Sequence, residues 1–417
     1  MRVLILGSGG REHALCWKIA QSPLLTQLYV APGNAGMESS AKRVPLAADD
    51  VINIGAFALD QKIDLVVVGP EAPLAVGIID HLTALGVLAF GPTRAAALVE
   101  SSKAFTKELC DACGAPTAAY ARFTNAAKAS DYVRNNGAPI VVKWDGLAAG
   151  KGVVVAETVA QAIDAIEEMF KAGSGEIVIE EFMPGEEASL FVLTDGKTAL
   201  PFGGAQDHKR AFDGDLGPNT GGMGAYSPAP ILDDAMTKKA METIVQPCLD
   251  ELARRGTPYS GILYAGLMID QGKPRLVEYN ARFGDPECQV LMLRLDEDLL
   301  PLLLSTARGE LGVRSIAWRP EIALSVVMAS KGYPGNYKKG SKIQGLGQER
   351  EGVVVFHAAT TTNAQGQILA DGGRVLTITA KGKTVEQARE RAYDMCRAID
   401  WPEGFYRTDI GWRAMGR

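Results

Sequence analysis

The run "LVEYNARFGDPE", residues 276–287, concentrates groups that could do chemistry. Read as a strand, it puts Glu278 and Asn280 on one face, because strand side chains alternate with a period of two. A carboxylate beside an amide oxygen is a pair of hard oxygen ligands suited to Mg²⁺, which keeps waters and bridges substrate phosphates. Arg282 continues that face and is placed to neutralise a γ-phosphate. The alternative is an edge strand whose polar residues face solvent. A second candidate is Lys143, which follows the apolar run "PIVV". Burying its charge unpaired would cost several kcal/mol, so it reads as an anion ligand.

Lys143 stands beside "GLAAGKG", residues 146–152. The P-loop pattern fails there twice, with Asp145 at the first glycine position and Gly152 at the Ser/Thr position. A glycine loop between two strands, flanked by Lys143 and Lys151, still suits phosphates. In "VIEEFMPGEEASL" a strand stops at Glu180-Glu181-Phe182-Met183 and turns at Pro184-Gly185. Extended backbone there can offer an N–H and a C=O to an adenine edge, with Glu187 in reach of ribose hydroxyls. The alternative is a hairpin with solvated carboxylates. Residues 206–228, "QDHKRAFDGDLGPNTGGMGAYSP", are rich in glycine and charge. A loop of this length inside a compact domain is usually functional or disordered, and it reads as a mobile substrate loop. His208 alone would be an ordinary surface residue.

The elements that must position these groups follow from the apolar pattern. Strand-like runs at Val3–Leu6, Leu28–Val30, Ile63–Val68 and Val87–Phe90 alternate with helical patterns such as Glu12–Gln21 and Leu74–Leu85. That alternation implies a parallel sheet whose ligand crevice lies beyond the carboxyl ends of its strands. The first of these loops, Gly7-Ser8-Gly9-Gly10-Arg11-Glu12, puts Glu12 where a dinucleotide fingerprint needs its third glycine. The second strand ends without the acid a ribose would need. A single phosphate at the helix N-terminus, helped by Arg11, or a tight turn alone remain as readings. Further on, the pattern predicts helices at 102–114, 159–171, 234–255 and 384–399, and a hairpin turning at Gln271–Lys273. C-terminal strands begin near residue 322.

The 417 residues suffice for two or three cores. A net charge of −6 argues against wholesale nucleic-acid binding. No apolar run approaches the ~18 residues of a membrane span. The first residues do not read as a signal peptide, and the six scattered cysteines read as reduced thiols of a cytoplasmic protein.

Taken together, "GSGGREHAL", "APGNAG", "GPEAPL", "VKWDGLAAGKGV", the 206–228 run, "EYNARFGDPE" and "ASKGYPG" resemble the phosphoribosylamine–glycine ligase family of the ATP-grasp superfamily. The resemblance implies an α/β and α+β multidomain fold. A Rossmann-like N-terminal domain would span 1–101 and an ATP-grasp region 102–320, its small B lobe at about 120–190. A small α+β domain would close the chain at 321–417. It implies ATP-dependent joining of glycine to 5-phosphoribosylamine through glycyl phosphate, in purine biosynthesis, with Mg²⁺ or Mn²⁺ on Glu278 and Asn280. ATP would meet Lys103, Lys143, Glu180, Glu181, Phe182, Glu187, Lys209 and Arg282. The phosphoribosyl group and glycine would meet Gly9, Gly10, Arg11, Asn34, Glu71, Asp213 and Asn219. Arg282, Lys143 and Asp207 would be catalytic. The partners implied are the three small molecules and, transiently, the enzyme that supplies phosphoribosylamine; nucleic acid and membrane are not among them. The strand before Glu278 reads Ala265-Gly266-Leu267-Met268, without the further acid of many ATP-grasp enzymes, so second-metal ligands stay open. Another ATP-grasp carboxylate–amine ligase, or a non-catalytic ATP-binding regulator, are the rival readings.

Overall fold

The computed structural model describes residues 1–146 and 152–416. The middle of the glycine loop, 147–151 with Lys151, therefore lies outside the described residues. Five parallel strands open the chain: β1 (Arg2–Gly7), β2 (Gln27–Pro32), β3 (Lys42–Arg43), β4 (Leu65–Val68) and β5 (Ala89–Phe90), ordered β3-β2-β1-β4-β5. Their Val/Ile/Leu runs are buried on both faces, as a parallel sheet requires. Helices α1 (Gly10–Ile19), α2 (Val51–Asp60), α3 (Glu71–Ala75), α4 (Ile78–Ala84) and α5 (Leu98–Ser101) accompany them. The single helix expected over 74–85 is broken. Gly77 lies between α3 and α4 at φ +90°, a left-handed conformation that glycine adopts without steric cost.

Helix α6 (Lys103–Cys113) leads to a four-stranded sheet of β6 (Tyr120–Phe123), β7 (Ile140–Trp144), β8 (Val153–Ala156) and β9 (Ile177–Glu181), ordered β6-β9-β7-β8. Helices α7 (Ala126–Asn136) and α8 (Val159–Lys171) pack on Ile140, Val142, Ile177 and Ile179. The turn at Pro184–Gly185 is not a hairpin turn. There the chain leaves β9 and enters a different sheet as β10 (Glu186–Asp195). Gly185, at φ +129°, runs so close to the Ile269 carbonyl that a Cβ would stand 2.5 Å from it.

The large sheet takes β10, β11 (Ala199–Asp207), β14 (Gly224–Ser227), β15 (Ser260–Asp270), β16 (Lys273–Asn280), β17 (Ile322–Ser330), β18 (Val353–His357), β21 (Arg374–Gly382) and β22 (Gly404–Phe405). Its order is β16-β15-β10-β11-β14-β17-β21-β18, with β22 on β17. Two ribbons, β12 (Arg210–Phe212) with β13 (Leu216–Asn219) and β19 (Thr360–Thr362) with β20 (Ile368–Ala370), stand off it. The expected C-terminal strands are present, and through the pairing of β14 with β17 they continue the central sheet.

Helices α9 (Asp234–Ala240), α10 (Gln246–Arg254), α11 (Glu287–Arg294), α12 (Leu299–Arg308) and α13 (Val385–Ala398) cover the sheet. The helix expected over 234–255 is interrupted by a π-turn at Met241–Val245, just ahead of Pro247, which has no N–H for the regular ladder. Residues 206–228 are not a loose loop. They include β12, β13 and β14, and Ala211, Met223, Ala225 and Tyr226 are buried. His208, expected at the surface, is fully buried.

Candidate active site

The carboxyl end of β16 opens into a cavity of 390 Å³ shared by the N-terminal strand loops, the small sheet and the large sheet. Glu278 and Asn280 lie on its wall, with Arg282 just beyond. Glu278 Oε2 is 2.8 Å from Lys103 Nζ. Lys103 is the first residue of α6, whose end is fixed by Asp145: Oδ1 accepts from the Lys103 and Ala104 amides at 2.5 and 3.2 Å. Burial works against the charge on Glu278, but Lys103 and then Lys143 outweigh it and hold its carboxyl down at about 2. The carboxylate is therefore ionised at any physiological pH.

Arg282 forms the other half of the wall. Its Nε meets Glu71 at 3.1 Å, one Nη2 contact reaches Glu100 at 2.9 Å, and the same nitrogen donates to Asn280 Oδ1 at 3.3 Å. Glu71 opposes burial with the help of Arg282 and Arg11 and titrates at about 2. Glu100 goes the other way: burial pushes it up, and Arg282 only partly offsets this.

Behind Glu278 lies a buried charge triad. Glu180 accepts from Lys107 at 3.2 Å and from Lys143 at 2.9 Å, and Lys143 also donates to the Val277 carbonyl at 3.3 Å. At the opposite end Lys209 Nζ bridges Asp207, at 2.8 and 2.9 Å, and Glu187, at 3.0 Å. Beside that cluster Glu287 accepts from the Tyr264 hydroxyl at 3.0 Å, and burial, then Asp207, push it up to about 7.

Three family models match consecutive parts of the chain: the phosphoribosylglycinamide synthetase N domain over 1–100, its ATP-grasp (A) domain over 101–288 and its C domain over 323–413. The chain belongs to the phosphoribosylglycinamide synthetase family. It is 56% identical over 423 residues to the phosphoribosylamine–glycine ligase of Brucella melitensis, covering 100% of this chain and 99% of that one. The Mesorhizobium japonicum ligase is 57% identical over 422 residues, with the same coverage. Among solved structures, the Thermotoga maritima phosphoribosylamine–glycine ligase superposes with a TM-score of 0.84 at 31% identity, covering 98% of this chain and 100% of its own. A biotin carboxylase of Campylobacter jejuni, at 14% identity and TM-score 0.73 over 97% and 92% of the two chains, shares the fold. The fold is the three-domain synthetase architecture built on an ATP-grasp core.

Within this synthetase fold, Arg11, Glu71, Lys103, Asp207, Lys209, Glu278, Asn280 and Arg282 meet around one cavity. Glu187 stands one contact behind it through Lys209, whereas Lys143 and Glu180, paired with each other, are not in its lining. Glu181 instead accepts from the Ala119 amide at 3.0 Å and pairs closely with Arg275, and Phe182 is exposed at the end of β9. Asn34 is buried away from the cavity lining; its Nδ2 donates to the Ser8 and His357 carbonyls at 2.8 and 2.9 Å. Asp213 is turned to the C-terminal end, where Oδ1 accepts from the Thr408 amide at 2.7 Å, and Asn219 sits on β13.

The start of α1 also differs from the expectation of amides open to phosphate. Glu12 accepts from the Gly9 amide at 2.6 Å, and Asp285 accepts from the Arg11 amide at 3.3 Å. These carboxylates neutralise the positive helix end, and the buried Arg11 side chain is itself held by Glu12 at 2.6 Å and by the Phe283 carbonyl at 2.9 Å. Sequence reading passed over Glu100, Lys107, Asp285, Glu287 and Arg374. A signal for Glu287 was present in the largely apolar run "CQVLML" that follows it, which forms α11 and is buried throughout.

Proposed function

We propose that this protein joins glycine to 5-phosphoribosylamine with cleavage of ATP to ADP and phosphate, a step of purine biosynthesis. The carrying observation is the cavity in which Glu278, Asn280 and Arg282 face Lys103 on one side and the N-terminal residues Arg11 and Glu71 on the other. Such a site spans a nucleotide and a second, phosphorylated substrate.

Glycine's carboxylate is a poor electrophile and needs activation. Its oxygen attacks the γ-phosphorus of ATP, the bond to the β-phosphate oxygen breaks, and ADP leaves. The amine of phosphoribosylamine then attacks the acyl carbon of glycyl phosphate, and phosphate departs as the amine loses a proton. No protein nucleophile is required. The residues supply position and charge, as in phosphoryl transfer generally. Lys103, Lys143, Lys209 and Arg282 hold phosphates. The 180–182 backbone takes the adenine and Glu187 the ribose. Gly10, Arg11 and Glu71 hold the phosphoribosyl group, and Asp207 receives glycine's ammonium.

The donor set suits a divalent cation. Glu278 is ionised and Asn280 offers an amide oxygen from the same strand. Among the described residues no group of three or more His, Cys, Asp or Glu side chains could hold a metal ion. Glu278 and Asn280 would hold Mg²⁺ or Mn²⁺ as hard oxygen donors. The bound cation would neutralise charge on the transferring phosphoryl group.

All six cysteines are free thiols, and no helix among the described residues is long and apolar enough to cross a membrane. We place the protein in the cytoplasm, in transient contact with the enzyme that supplies the unstable phosphoribosylamine. The test is substrate dependence: sustained ADP release should require both glycine and phosphoribosylamine. Turnover with another amino acid and none with glycine would overturn the assignment.

A further inference from the structure

The segment that carries Asp207 and Lys209 to the cavity is held from behind by the C-terminal end of the chain. His208 stands between the two and is fully buried. Its amide donates to the Gly224 carbonyl at 2.9 Å, and its carbonyl accepts from the Met223 amide at 2.8 Å. Its Nε2 accepts from the Gly411 amide at 3.0 Å, so the neutral ring carries its proton on Nδ1. Nδ1 has no hydrogen-bond partner and stands 3.9 Å from Asp215 Oδ1.

Asp215 is in turn gripped by the C-terminal segment. Arg407, fully buried, meets it at 2.9 Å, and Arg413 pairs with its other oxygen. Arg407 also forks onto Asp409, at 2.8 Å through each nitrogen, and donates to the Arg210 carbonyl at 3.0 Å. Asp409 accepts from the Gly214 amide at 2.8 Å, and Asp213 accepts from the Thr408 amide at 2.7 Å. A buried guanidinium paired in this planar way is costly to release, so the contact resists opening.

We propose that residues 407–413 form a clamp that sets the Asp207–Lys209 pair in the active site, with His208 as the positioning residue through which the clamp acts. The kinetic part of this inference rests on the reading that Asp207 receives glycine's ammonium. His208 touches no substrate; it fixes the backbone between two residues that do. Misplacement there is transmitted directly to the cavity.

The test uses the full-length protein and two readouts. Hydrogen exchange of amides in 206–224 reports the clamp itself. Steady-state KM for glycine, at saturating ATP with phosphoribosylamine formed in the assay from ribose 5-phosphate and ammonia, reports its consequence. His208→Leu should speed exchange and raise KM for glycine by about tenfold, with KM for phosphoribosylamine within about twofold, since a misplacement near 1 Å can cost up to about a hundredfold. His208→Gln, whose side-chain oxygen can accept from the Gly411 amide, should restore most of the loss. Should His208→Leu fail to fold, Arg413→Gln carries the test, with the same direction of change expected. Unchanged exchange in these variants overturns the clamp. Equal losses for every substrate together with a lowered Tm would make His208 merely structural and also overturn it. If the unmodified protein shows no glycine-dependent turnover, the functional reading fails instead, and exchange alone judges the clamp.

Discussion

Replacing Glu180 with Gln should destabilise the junction between the small sheet and α6, by an amount the structure sets. The carboxylate is 3% exposed and lies between Lys107, 3% exposed, and Lys143, 4% exposed. The unmodified triad carries one net positive charge; the variant carries two, close together and out of water. Breaking a buried pair in this way costs about 3–5 kcal/mol. At roughly 1 °C per kcal/mol for a chain of 417 residues, Tm should fall by about 3–6 °C. The loss should also depend on pH. Burial already lowers the Lys107 pKa, with Glu180 as the main opposing charge. Without Glu180 it falls further, so folding of the variant releases a proton over a wider range. Stability of the variant then rises with pH toward the ordinary lysine range, and the gap to the unmodified protein narrows. Calorimetry at pH 7 and pH 9.5 measures both effects. A Tm within about 1 °C of the unmodified protein at pH 7, the margin a sub-kcal/mol change would leave, or a gap that does not shrink with pH, would refute the reasoning.

Glu278→Gln should lower kcat by about 10²–10³, the scale of losing one aimed electrostatic group, and raise the Mg²⁺ concentration for half-maximal rate; steady-state assays over a metal titration check it. Burial and Asp207 raise Glu287 from 4.5 to about 7, so the folded state retains its proton across that window. Stability should therefore fall as pH rises from 4.5 to 7, and Glu287→Gln should flatten that slope in a Tm-against-pH series. Gly10→Ala would bring a Cβ to 2.5 Å from Gln289 Nε2 and 3.3 Å from Thr377 Oγ1. Overpacking of this kind should cost about 1–3 kcal/mol by urea denaturation.

Much of the scaffold was legible because apolar runs with a clear period leave little choice. Strands β1, β2, β4 and β5 of the first sheet, α8, and the β15–β16 pair lie where their patterns put them, while the two-residue β3, Lys42–Arg43, carries no apolar run to announce it. The misreadings each have a local cause. A glycine in the left-handed region split one helix at Gly77, and Pro247 forced a wider turn in another. Neither change alters the apolar period, so neither is visible in it. The pairing of β14 with β17 is likewise a long-range choice that no local pattern encodes.

That Glu278, Asn280 and Arg282 come together was legible from the period of the strand, and the pairing of Lys143 from the cost of burying a lone charge. The partners themselves were not. Glu180 and Glu278 bind lysines that are distant in sequence, and Asp285 and Glu12 consume the helix-end amides that a phosphate was expected to find. His208 was unreadable for the same reason: its burial depends on Gly411, 203 residues away.

The central claim is that glycine is activated by phosphorylation in the cavity walled by Glu278 and Arg282. Incubation with ATP, Mg²⁺ and [¹⁴C]glycine in hydroxylamine, without phosphoribosylamine, tests it most directly. Glycyl hydroxamate should accumulate with an equal amount of ADP, and Glu278→Gln should suppress both. Hydroxamate formed without ADP, or sustained ADP release under these conditions with no hydroxamate, would contradict it.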